Sequence, residues 1–530
     1  MQGSFVQIGP QAKFFFHFFS SFFFFFLLFF FLCIPCRVEI PRREELSSHS
    51  LSSLLPPSQT LGVQSAMQGL LLPNTLRSLV RDCVQEIAGH AQSQTRHPMG
   101  LLIHNDPHSA ALLIAAQQLN MHAVVLAGNR REELQPLAEV HTGITTMLEN
   151  TPAGLTLSRA NEDGPRPPVV PFMTEFPNGS ACLFTSGSTG DPKVVAYEWE
   201  ALLFQASETL RRTPLLGPQT AHIPRQFVAA SPIAHAYAIN AVFTCHLGSL
   251  ALGLPPRGSE REYLLGTSEL STAILGTPAL YRTLLKSLQD GDDLRHVREP
   301  YSAGCSLPAE TWLAFRERFG LRIMQNFGTT ETGNIAVFEA PRNQPPTPGF
   351  VGKPWGEIRF RDSRTLQEAP GDSQAEIMVR VPWMSKGYVE RGELLRHSQF
   401  HPTGDYGKLV TGGTEEGLVV GRRIRAPLHL KDDDVDPRLI ELLLEDHPLV
   451  DECVAVQGDG GSSLGVFVVP SVSGTALTPQ ELVAWWQEAR TQHTPPLPPL
   501  MAVKVVPDLP RSPAGKIIFK ALTWEVLQAV

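Results

Sequence analysis

Cysteine is scarce in this chain, with 7 among 530 residues, and the number is odd. The cysteines are scattered without zinc-finger spacing, and the CxxC pair of Cys33 and Cys36 has no second pair to complete a metal site. A disulfide framework and a structural zinc site are therefore both disfavoured. The expected compartment is a reducing one, and we predict a cytoplasmic protein.

An excess of positive charge is also absent. Lys and Arg together number 44 against 52 Asp and Glu, which gives a formal net charge of -8 and a pI near 6.1. Such a chain offers no broad basic surface to the phosphate backbone of a nucleic acid. We therefore expect a small-molecule substrate and no nucleic-acid partner.

One long apolar run lies near the amino terminus. Residues 14–34 are almost continuous Phe and Leu, close to the ~20 residues that a membrane-spanning helix needs. A Ser- and Pro-rich stretch follows, and Met67 precedes the first globular pattern. Residues 1–66 are accordingly either a signal-anchor that tethers the protein to a membrane or, as we favour, a Phe-rich low-complexity extension outside the fold.

Beyond Met67, apolar patterns typical of helices and strands alternate, which predicts parallel sheets covered by helices. After residue 421 the pattern changes to short strands and helices without long apolar runs. A chain of this length also exceeds what one hydrophobic core supports. We predict an α/β fold, with a large N-terminal domain of parallel-rich sheets layered with helices over residues 67–421. A small mobile α+β domain is predicted over residues 422–530.

The most informative segment is a loop of small and hydroxyl residues between two apolar runs. It reads Thr185-Ser186-Gly187-Ser188-Thr189-Gly190-Asp191-Pro192-Lys193. Glycine allows close approach, so several backbone N–H groups and hydroxyls can converge on phosphate oxygens. It is not a Walker loop, because Pro192 precedes Lys193 and Val194 follows it. The sequence therefore predicts a phosphate-binding loop of another kind.

This loop and four later motifs, in the same order, resemble the adenylate-forming superfamily of AMP-binding enzymes, which includes acyl- and aryl-CoA synthetases, peptide-synthetase adenylation domains and luciferases. The later motifs are Asn326-Phe327-Gly328-Thr329-Thr330-Glu331, Thr403-Gly404-Asp405, Gly421-Arg422 and Pro510-Arg511-Ser512-Pro513-Ala514-Gly515-Lys516. The resemblance covers roughly residues 100–516. It implies ATP and Mg²⁺, an acyl-adenylate intermediate, and transfer of the acyl group to CoA or to a carrier-protein phosphopantetheine thiol.

The resemblance also implies a role for each motif. Lys516 would bridge the acid and the α-phosphate, Thr330 would hydrogen-bond phosphate, and Glu331 would hold Mg²⁺. Phe327, between Asn326 and Gly328, would stack on adenine. Asp405 would accept hydrogen bonds from the ribose hydroxyls, and Arg422 would lie near the ribose at the domain hinge. The residues implied in wrapping the β- and γ-phosphates are Thr185, Ser186, Gly187, Ser188, Thr189, Gly190 and Lys193.

The acyl pocket is implied to begin around residues 231–240. His235 and Tyr237 would lie beside the substrate there, although for each a satisfied core residue is the alternative. Further walls are implied at Gly276, Ala303 and Gly304. Residues 231–244 contain no acidic side chain to meet an α-ammonium group. Because a buried unpaired ammonium is strongly unfavourable, we expect a carboxylic acid without an α-amino group.

The hinge departs from the family pattern. Family members continue Gly-Arg with an acidic residue, an Ile-Lys and a glycine, whereas Arg423-Ile424-Arg425-Ala426-Pro427 stands here. The sequence therefore does not decide whether the small domain can rotate for thiol transfer, whereas the resemblance implies the adenylation step. Three functions remain: an acid–CoA ligase, an adenylating enzyme with a carrier protein or another acceptor, and a non-catalytic nucleotide-binding relative.

Overall fold

The computed structural model describes residues 69–90, 97–159, 171–185, 192–337, 346–363, 365–372, 375–412, 415–430, 433–458, 463–471, 477–492, 496–511 and 517–528. These residues belong to a compact unit that extends from Leu61 to Val530. The predicted extension 1–66, with its apolar run, lies outside them. Within the described ranges, no helix has both the length and the apolar character needed to cross a membrane.

Helices form where the sequence spaces apolar residues by three or four, and several begin at a proline that follows a capping side chain. Asp106, for example, accepts a hydrogen bond from the Ser109 backbone N–H at 2.9 Å just before the second helix. The helices are α1 (Pro73–His90), α2 (Pro107–Gln118), α3 (Arg131–Thr142), α4 (Trp199–Arg212), α5 (Ala236–Gly248), α6 (Glu260–Gly266), α7 (Pro278–Ser287), α8 (Ala309–Phe319), α9 (Pro437–Glu445), α10 (Pro479–Ala489) and α11 (Trp524–Gln528).

The first sheet has a parallel centre with antiparallel edges. Its neighbouring strands, in spatial order, are β1 (Leu70–Leu71), β9 (Ala251–Gly253), β8 (Arg225–Ala229), β10 (Ser271–Gly276), β11 (Val297–Ser302), β12 (Met324–Thr329) and β13 (Gly333–Val337). Strands β9 to β12 run parallel, and β1 and β13 pair antiparallel. The carboxyl ends of β10, β11 and β12 therefore meet at one edge of the sheet.

The second sheet has the same mixed design. Its strands, in spatial order, are β18 (Glu393–Arg396), β17 (Gly387–Glu390), β7 (Val194–Glu198), β6 (Ser180–Phe184), β3 (His122–Ala127), β2 (Met99–Ile103), β4 (Thr146–Thr151) and β5 (Gly154–Arg159). Strands β6, β3, β2 and β4 are parallel, and the remaining pairs are antiparallel. Helices α2 and α5 contribute fully buried residues to one hydrophobic core that contains side chains of both sheets. This layered α/β arrangement confirms the predicted fold class.

A third, wholly antiparallel sheet was not predicted from the sequence. It contains β14 (Phe350–Gly352), β20 (Gly417–Arg423), β19 (His401–Val410), β16 (Ala375–Arg380) and β15 (Glu357–Arg361), in that spatial order. Only β19 and β20 are joined by a short connection, residues 411–416, and the other paired strands are separated by longer stretches of chain that give no local hairpin signal. The sheet matters here because the Thr-Gly-Asp and Gly-Arg motifs lie on its adjacent strands β19 and β20.

The C-terminal segment has a core of its own. Strands β21 (Leu428–Leu430) and β22 (Asp433–Val435) pair with each other, and β23 (Val450–Gln457), β24 (Leu464–Pro470) and β25 (Leu500–Val505) form a small sheet. Helices α9 and α10 pack on it through buried residues such as Ile440 and Trp486. A large N-terminal part and a small C-terminal α+β part are thus present. The boundary predicted at residues 421 and 422 falls within β20, and its position stays a prediction.

Candidate active site

The predicted phosphate loop is closed at its base by two hydrogen bonds. The strands β6 and β7 are antiparallel neighbours, and the loop connects them. The Thr185 backbone N–H donates to the Lys193 carbonyl at 2.9 Å, and the Lys193 N–H donates to the Thr185 hydroxyl at 2.9 Å. Ser186, Gly187, Ser188, Thr189 and Gly190 lie outside the described residues. The structure therefore fixes the stem of the loop, from which the exposed Lys193 projects.

Thr330 and Glu331 lie at the tip of the tight turn between β12 and β13. The Tyr197 hydroxyl, on β7, donates to the Thr330 carbonyl at 2.7 Å. The Glu331 N–H donates to the Thr329 hydroxyl at 3.2 Å, and the Glu331 carbonyl accepts from the Ser385 N–H at 2.9 Å. Backbone bonds on both sides thus hold the turn, and the β7 contact places it beside the stem of the phosphate loop.

Tyr388 connects these two elements through its side chain. It lies on β17, which pairs with β7 next to the loop stem. Its hydroxyl donates to Glu331 Oε1 at 2.8 Å, and the Lys193 ammonium lies 5.0 Å from the centre of its ring. The sequence reasoning missed Tyr388, because its bond to Glu331 spans 57 residues and depends on the sheet pairing rather than on a local motif. Lys193, Tyr388 and Glu331 therefore form one connected group.

Two histidines border this group. His397 shares a 2.8 Å hydrogen bond between its Nε2 and the Ser385 hydroxyl, and its ring lies 4.5 Å from that of His401. Burial lowers the pKa of His401 to about 4, so this ring is neutral near pH 7. Burial would raise the pKa of the Glu331 carboxyl, but His401 and the Tyr388 hydrogen bond outweigh it and hold that pKa below its usual value. Since a neutral His401 attracts a carboxylate only weakly, the hydrogen bonds to Glu331 from Tyr388, from the backbone and from Thr329 are the contributions that persist at neutral pH, that of Tyr388 being the largest of them.

Asp405 lies on β19 directly after a glycine with a left-handed backbone. Gly404 has a backbone φ of +72°, a conformation that residues with a Cβ rarely adopt. The Asp405 N–H donates to the Thr403 hydroxyl at 3.2 Å, and that hydroxyl donates to the Ile377 carbonyl at 3.0 Å. These bonds anchor the Thr-Gly-Asp turn. The Asp405 carboxylate is 13% exposed and contacts the Arg423 guanidinium at 3.4 Å.

Arg422 points elsewhere. Its guanidinium donates to the Cys453 carbonyl at 2.9 Å, forms an ion pair with Glu445, and lies 3.6 Å from Glu441 and 3.8 Å from Glu452. All four partners belong to the C-terminal segment. The structure therefore does not bring Arg422 to Asp405, and it places the neighbouring Arg423 there instead.

The predicted pocket walls meet at the carboxyl edge of the first sheet. Gly276 ends β10, and its carbonyl accepts a hydrogen bond from the Ala303 N–H at 2.9 Å. Ser302 pairs with Gln325 on the next strand, so Asn326 lies one residue beyond this row. Gly304 follows with a left-handed φ of +94°. Gly276, Ala303, Gly304 and the start of the Asn326 motif thus lie together at this edge. Ligands commonly bind at the carboxyl edge of a parallel sheet.

Two buried polar atoms face this region. The Tyr237 hydroxyl and the Asn326 amide oxygen are buried, and neither has a hydrogen bond of normal geometry to a described residue. They are neighbours, because Asn326 counteracts part of the rise that burial causes in the pKa of Tyr237. Buried polar groups are nearly always paired, so unpaired ones mark a place where a ligand or water completes the bonding. His235 precedes α5 as its N-cap, with a partly exposed side chain at the same helix end.

The structure does not test the predicted roles of Phe327 and Lys516. The partly buried Phe327 packs against the core of the third sheet, in the cluster that includes Ile335, Ala336 and Phe360. Its stacking on adenine stays a prediction. Lys516 lies outside the described residues. The stem of its loop is described, because Arg511 and Ile517 form an antiparallel bridge and the Ile518 N–H donates to the Pro510 carbonyl at 2.8 Å.

A separate open cleft lies at the opposite edge of the first sheet. Its volume is about 1050 Å³, and Ser271, Val297 and Met324, at the amino ends of three strands, help to line it. None of the predicted site residues borders it. The predicted site residues therefore lie outside this cleft.

Comparison with known families agrees with this geometry. A family model described as AMP-binding enzyme matches residues 98–389, which is more than half of the chain. The chain belongs to this family. The matched range contains the loop stem, the Glu331 turn, the pocket walls and Tyr388, whereas Asp405 and the hinge lie beyond it.

Individual relatives of this AMP-binding enzyme are distant. It is similar to 4-coumarate–CoA ligase from Pinus taeda, with 25% identity over 357 residues that cover 64% of this chain and 64% of the relative. It is also similar to luciferin 4-monooxygenase from Photinus pyralis, with 29% identity over 350 residues, 63% of this chain and 60% of the relative. The chain therefore spans less than two thirds of the length of these relatives.

A solved structure shares the fold of this AMP-binding enzyme. ATP-bound MatB from Rhodopseudomonas palustris matches with a TM-score of 0.64 and 19% identity, over 86% of this chain and 93% of that chain. At this identity the likeness concerns the fold alone. It extends across both the large N-terminal part and the small C-terminal part.

The residues of this AMP-binding enzyme fit a magnesium ion that is bound together with a nucleotide. No group of three His, Cys, Asp or Glu side chains in the described ranges could form a metal cage. Mg²⁺ commonly uses one or two protein carboxylates plus phosphate oxygens and water. Glu331, an ionised carboxylate beside the stem of the phosphate loop, suits that requirement. The donor set therefore favours a metal that arrives with ATP.

Proposed function

We propose that this AMP-binding enzyme activates a carboxylic acid with ATP and transfers the acyl group to the thiol of CoA. The observation that carries the proposal is the connected group of Lys193, Tyr388 and Glu331. It joins a cation at the loop stem to the carboxylate suited to Mg²⁺. The sequence also retains Lys516, which nucleotide affinity alone would not require, and this disfavours the non-catalytic alternative.

In the proposed first step, an oxygen of the substrate carboxylate attacks the α-phosphorus of ATP. The new bond joins that oxygen to phosphorus, and the bond from the α-phosphorus to the bridging oxygen breaks as pyrophosphate leaves. Little covalent work falls on the protein, which holds two anions together and balances their charge. Mg²⁺ held at Glu331 would neutralise phosphate charge.

The remaining roles in this step fall on side chains. Lys193 would attract the departing phosphates from the loop stem, and Thr330 would hydrogen-bond phosphate. Asp405 would orient the ribose through its hydroxyls. We propose Lys516 as the cation between the attacking carboxylate and the α-phosphate, where charge develops in the transition state.

The proposed substrate is an acid without an α-amino group. The described residues 231–244 carry no acidic side chain at the start of the pocket, and the neighbouring unpaired polar atoms belong to Tyr237 and Asn326. A hydroxyl and an amide oxygen do not offset a buried ammonium charge. The names of distant relatives, 4-coumarate–CoA ligase and feruloyl-CoA synthase, make aryl acids the first group to try.

The hinge supports a second candidate function, in which the acyl group goes to an acceptor other than CoA. Arg425 forms a buried ion pair with Glu441, and its guanidinium lies 4.7 Å from the centre of the Phe519 ring. The hinge segment thus has no acidic residue, and one of its basic residues is bound to the C-terminal segment. This arrangement favours an adenylating enzyme whose acceptor is a carrier-protein thiol or an amine if CoA proves inactive.

Pyrophosphate release by the full chain tests the proposal. The assay contains ATP and Mg²⁺ with a panel of aryl, short-chain and medium-chain acids, each with and without CoA. We expect release with one class of acid, a higher rate with CoA, and an acyl-CoA product detectable by mass spectrometry. Release that ignores CoA would move the acceptor to a carrier protein or an amine. The absence of release with every acid would contradict the proposal.

A further inference from the structure

The two arginines that follow Gly421 have opposite surroundings, although they are adjacent in sequence. Strands β19 and β20 are antiparallel, and Asp405 is the cross-strand partner of Arg423. Partners in register project from the same face of a sheet, and the neighbouring residue of a strand projects from the other face. The register therefore directs Arg423 toward Asp405 and Arg422 away from it.

Arg423 is suited to share Asp405 with a ligand. Its guanidinium nitrogen lies 3.4 and 3.5 Å from the two carboxylate oxygens, which is longer than a tight charged hydrogen bond. A carboxylate offers about four acceptor positions, so ribose hydroxyls can bind to the same group. The Arg423 side chain is 38% exposed, which leaves part of its donor fork accessible.

Arg422 instead forms ion pairs with buried acids of the C-terminal segment. Its partners Glu441 and Glu445 are only 4% and 16% exposed, and Arg438 and Arg425 contact the same carboxylates. Turning Arg422 toward a ribose would remove one of the arginines that offset the charge of these buried acids, which is unfavourable. Its contacts instead connect the end of β20 to α9 and to β23 of the C-terminal segment.

We propose that Arg423, and not Arg422, is the arginine that faces the ribose of a bound nucleotide, and that Arg422 fixes the C-terminal segment to the hinge. Arg423 holds the Asp405 carboxylate in the orientation that accepts the ribose hydroxyls and presents its own N–H groups beside them. The inference rests on the proposed function and refines its nucleotide site at a residue that the motif match did not select.

Calorimetric titration of the full chain with ATP and Mg²⁺, and separately with 2′,3′-dideoxy-ATP, tests the inference. Arg423→Gln should weaken ATP binding about tenfold or more, because hydrogen bonds between charged groups are involved. The dideoxy nucleotide should lose much less affinity, since it lacks the hydroxyls that Asp405 accepts. Arg423→Lys should retain part of the affinity. Arg422→Gln should instead lower the unfolding temperature with little change in ATP affinity.

Lys408→Gln serves as the matched control, because it removes one positive charge from the exposed part of the same strand β19. Lys408→Gln should change neither the ATP affinity nor the unfolding temperature. Arg423→Gln with wild-type ATP affinity, or with equal losses for both nucleotides, would overturn the inference alone. So would loss of ATP affinity in a folded Arg422→Gln variant. A wild-type protein that binds no ATP would overturn the proposed function together with it.

Discussion

Tyr388 is the side chain that links the phosphate-loop stem to the carboxylate proposed to hold Mg²⁺. Its hydroxyl bonds Glu331, and its ring faces the Lys193 ammonium. These two contacts use different parts of the side chain, so they can be separated. A phenylalanine keeps the ring and removes only the hydrogen bond.

Tyr388→Phe is expected to raise the Mg²⁺ concentration for half-maximal activity about tenfold, because a hydrogen bond to a charged group contributes about 1.5–3 kcal/mol. Without it, burial raises the pKa of Glu331 and the carboxylate loses its fixed orientation. Activity measured against Mg²⁺ at saturating ATP and acid checks this. The KM for the acid should stay the same, since the substitution keeps the ring and removes only the hydrogen bond to Glu331. An unchanged Mg²⁺ dependence would show that the hydroxyl does not position Glu331.

Single residues also show where sequence reasoning succeeds and where it stops. Glu331 and Asp405 could be selected as candidates because each lies within a short motif, and the structure shows that neighbouring residues fix the backbone there. Tyr388 could not be found, since its role depends on the pairing of β17 with β7, far from Glu331 in the chain. Arg423 was adjacent to a recognised motif, but only the strand register distinguishes its direction from that of Arg422.

Among the elements, the β19 turn at Gly404 bears most directly on the nucleotide site. The nearest group to a Cβ at Gly404 would be the Arg423 guanidinium, at an ordinary contact distance of 3.5 Å, so the cost of a side chain there comes from the backbone. Gly412, in the turn after β19, has a similar φ of +86° and open space around it. An alanine at either glycine would therefore strain the backbone in the same way, but only Gly404 is adjacent to Asp405.

Gly404→Ala and Gly412→Ala should each destabilise the protein by about 1–2 kcal/mol, the cost of a left-handed conformation with a Cβ. Gly404→Ala should also weaken ATP binding, because the strained turn displaces the adjacent Asp405. Urea unfolding and ATP titration on both variants provide the comparison. Equal ATP affinities in the two variants would indicate that the turn does not set the position of Asp405.

The elements themselves could be predicted unevenly from the sequence. Apolar periods in the sequence predict a helix over residues 75–91 and strands at 100–103 and 122–126, and α1, β2 and β3 lie there within about two residues. The apolar pattern at 321–325 also predicts a strand, but β12 begins later, at Met324. The third sheet escaped prediction because most of its paired strands are joined by long connections, with β19 and β20 as the exception. A short turn signal, which fixes the register of a hairpin, is absent between the other pairs.

For the whole molecule, charge at the hinge is the feature that separates this chain from the family pattern. Arg422 and Arg425 both enter the acidic cluster of the C-terminal segment, and Arg511, at the stem of the lysine loop, contacts Glu452 in that cluster. The hinge and this stem are therefore held by one set of ion pairs. Any rotation between adenylation and thiol transfer would have to move them together, or to exchange buried partners at considerable cost.

The central claim is that this chain forms an acyl-adenylate, and ATP–pyrophosphate exchange tests it most directly, since that step needs neither CoA nor domain rotation. The full chain should incorporate labelled pyrophosphate into ATP only when the cognate acid and Mg²⁺ are both present. Lys516→Ala and Glu331→Gln should each lower the rate by about 10²–10³, the loss typical of removing one group that stabilises transition-state charge. Exchange that persists at the wild-type rate in both variants, or that never depends on an acid, would contradict the account.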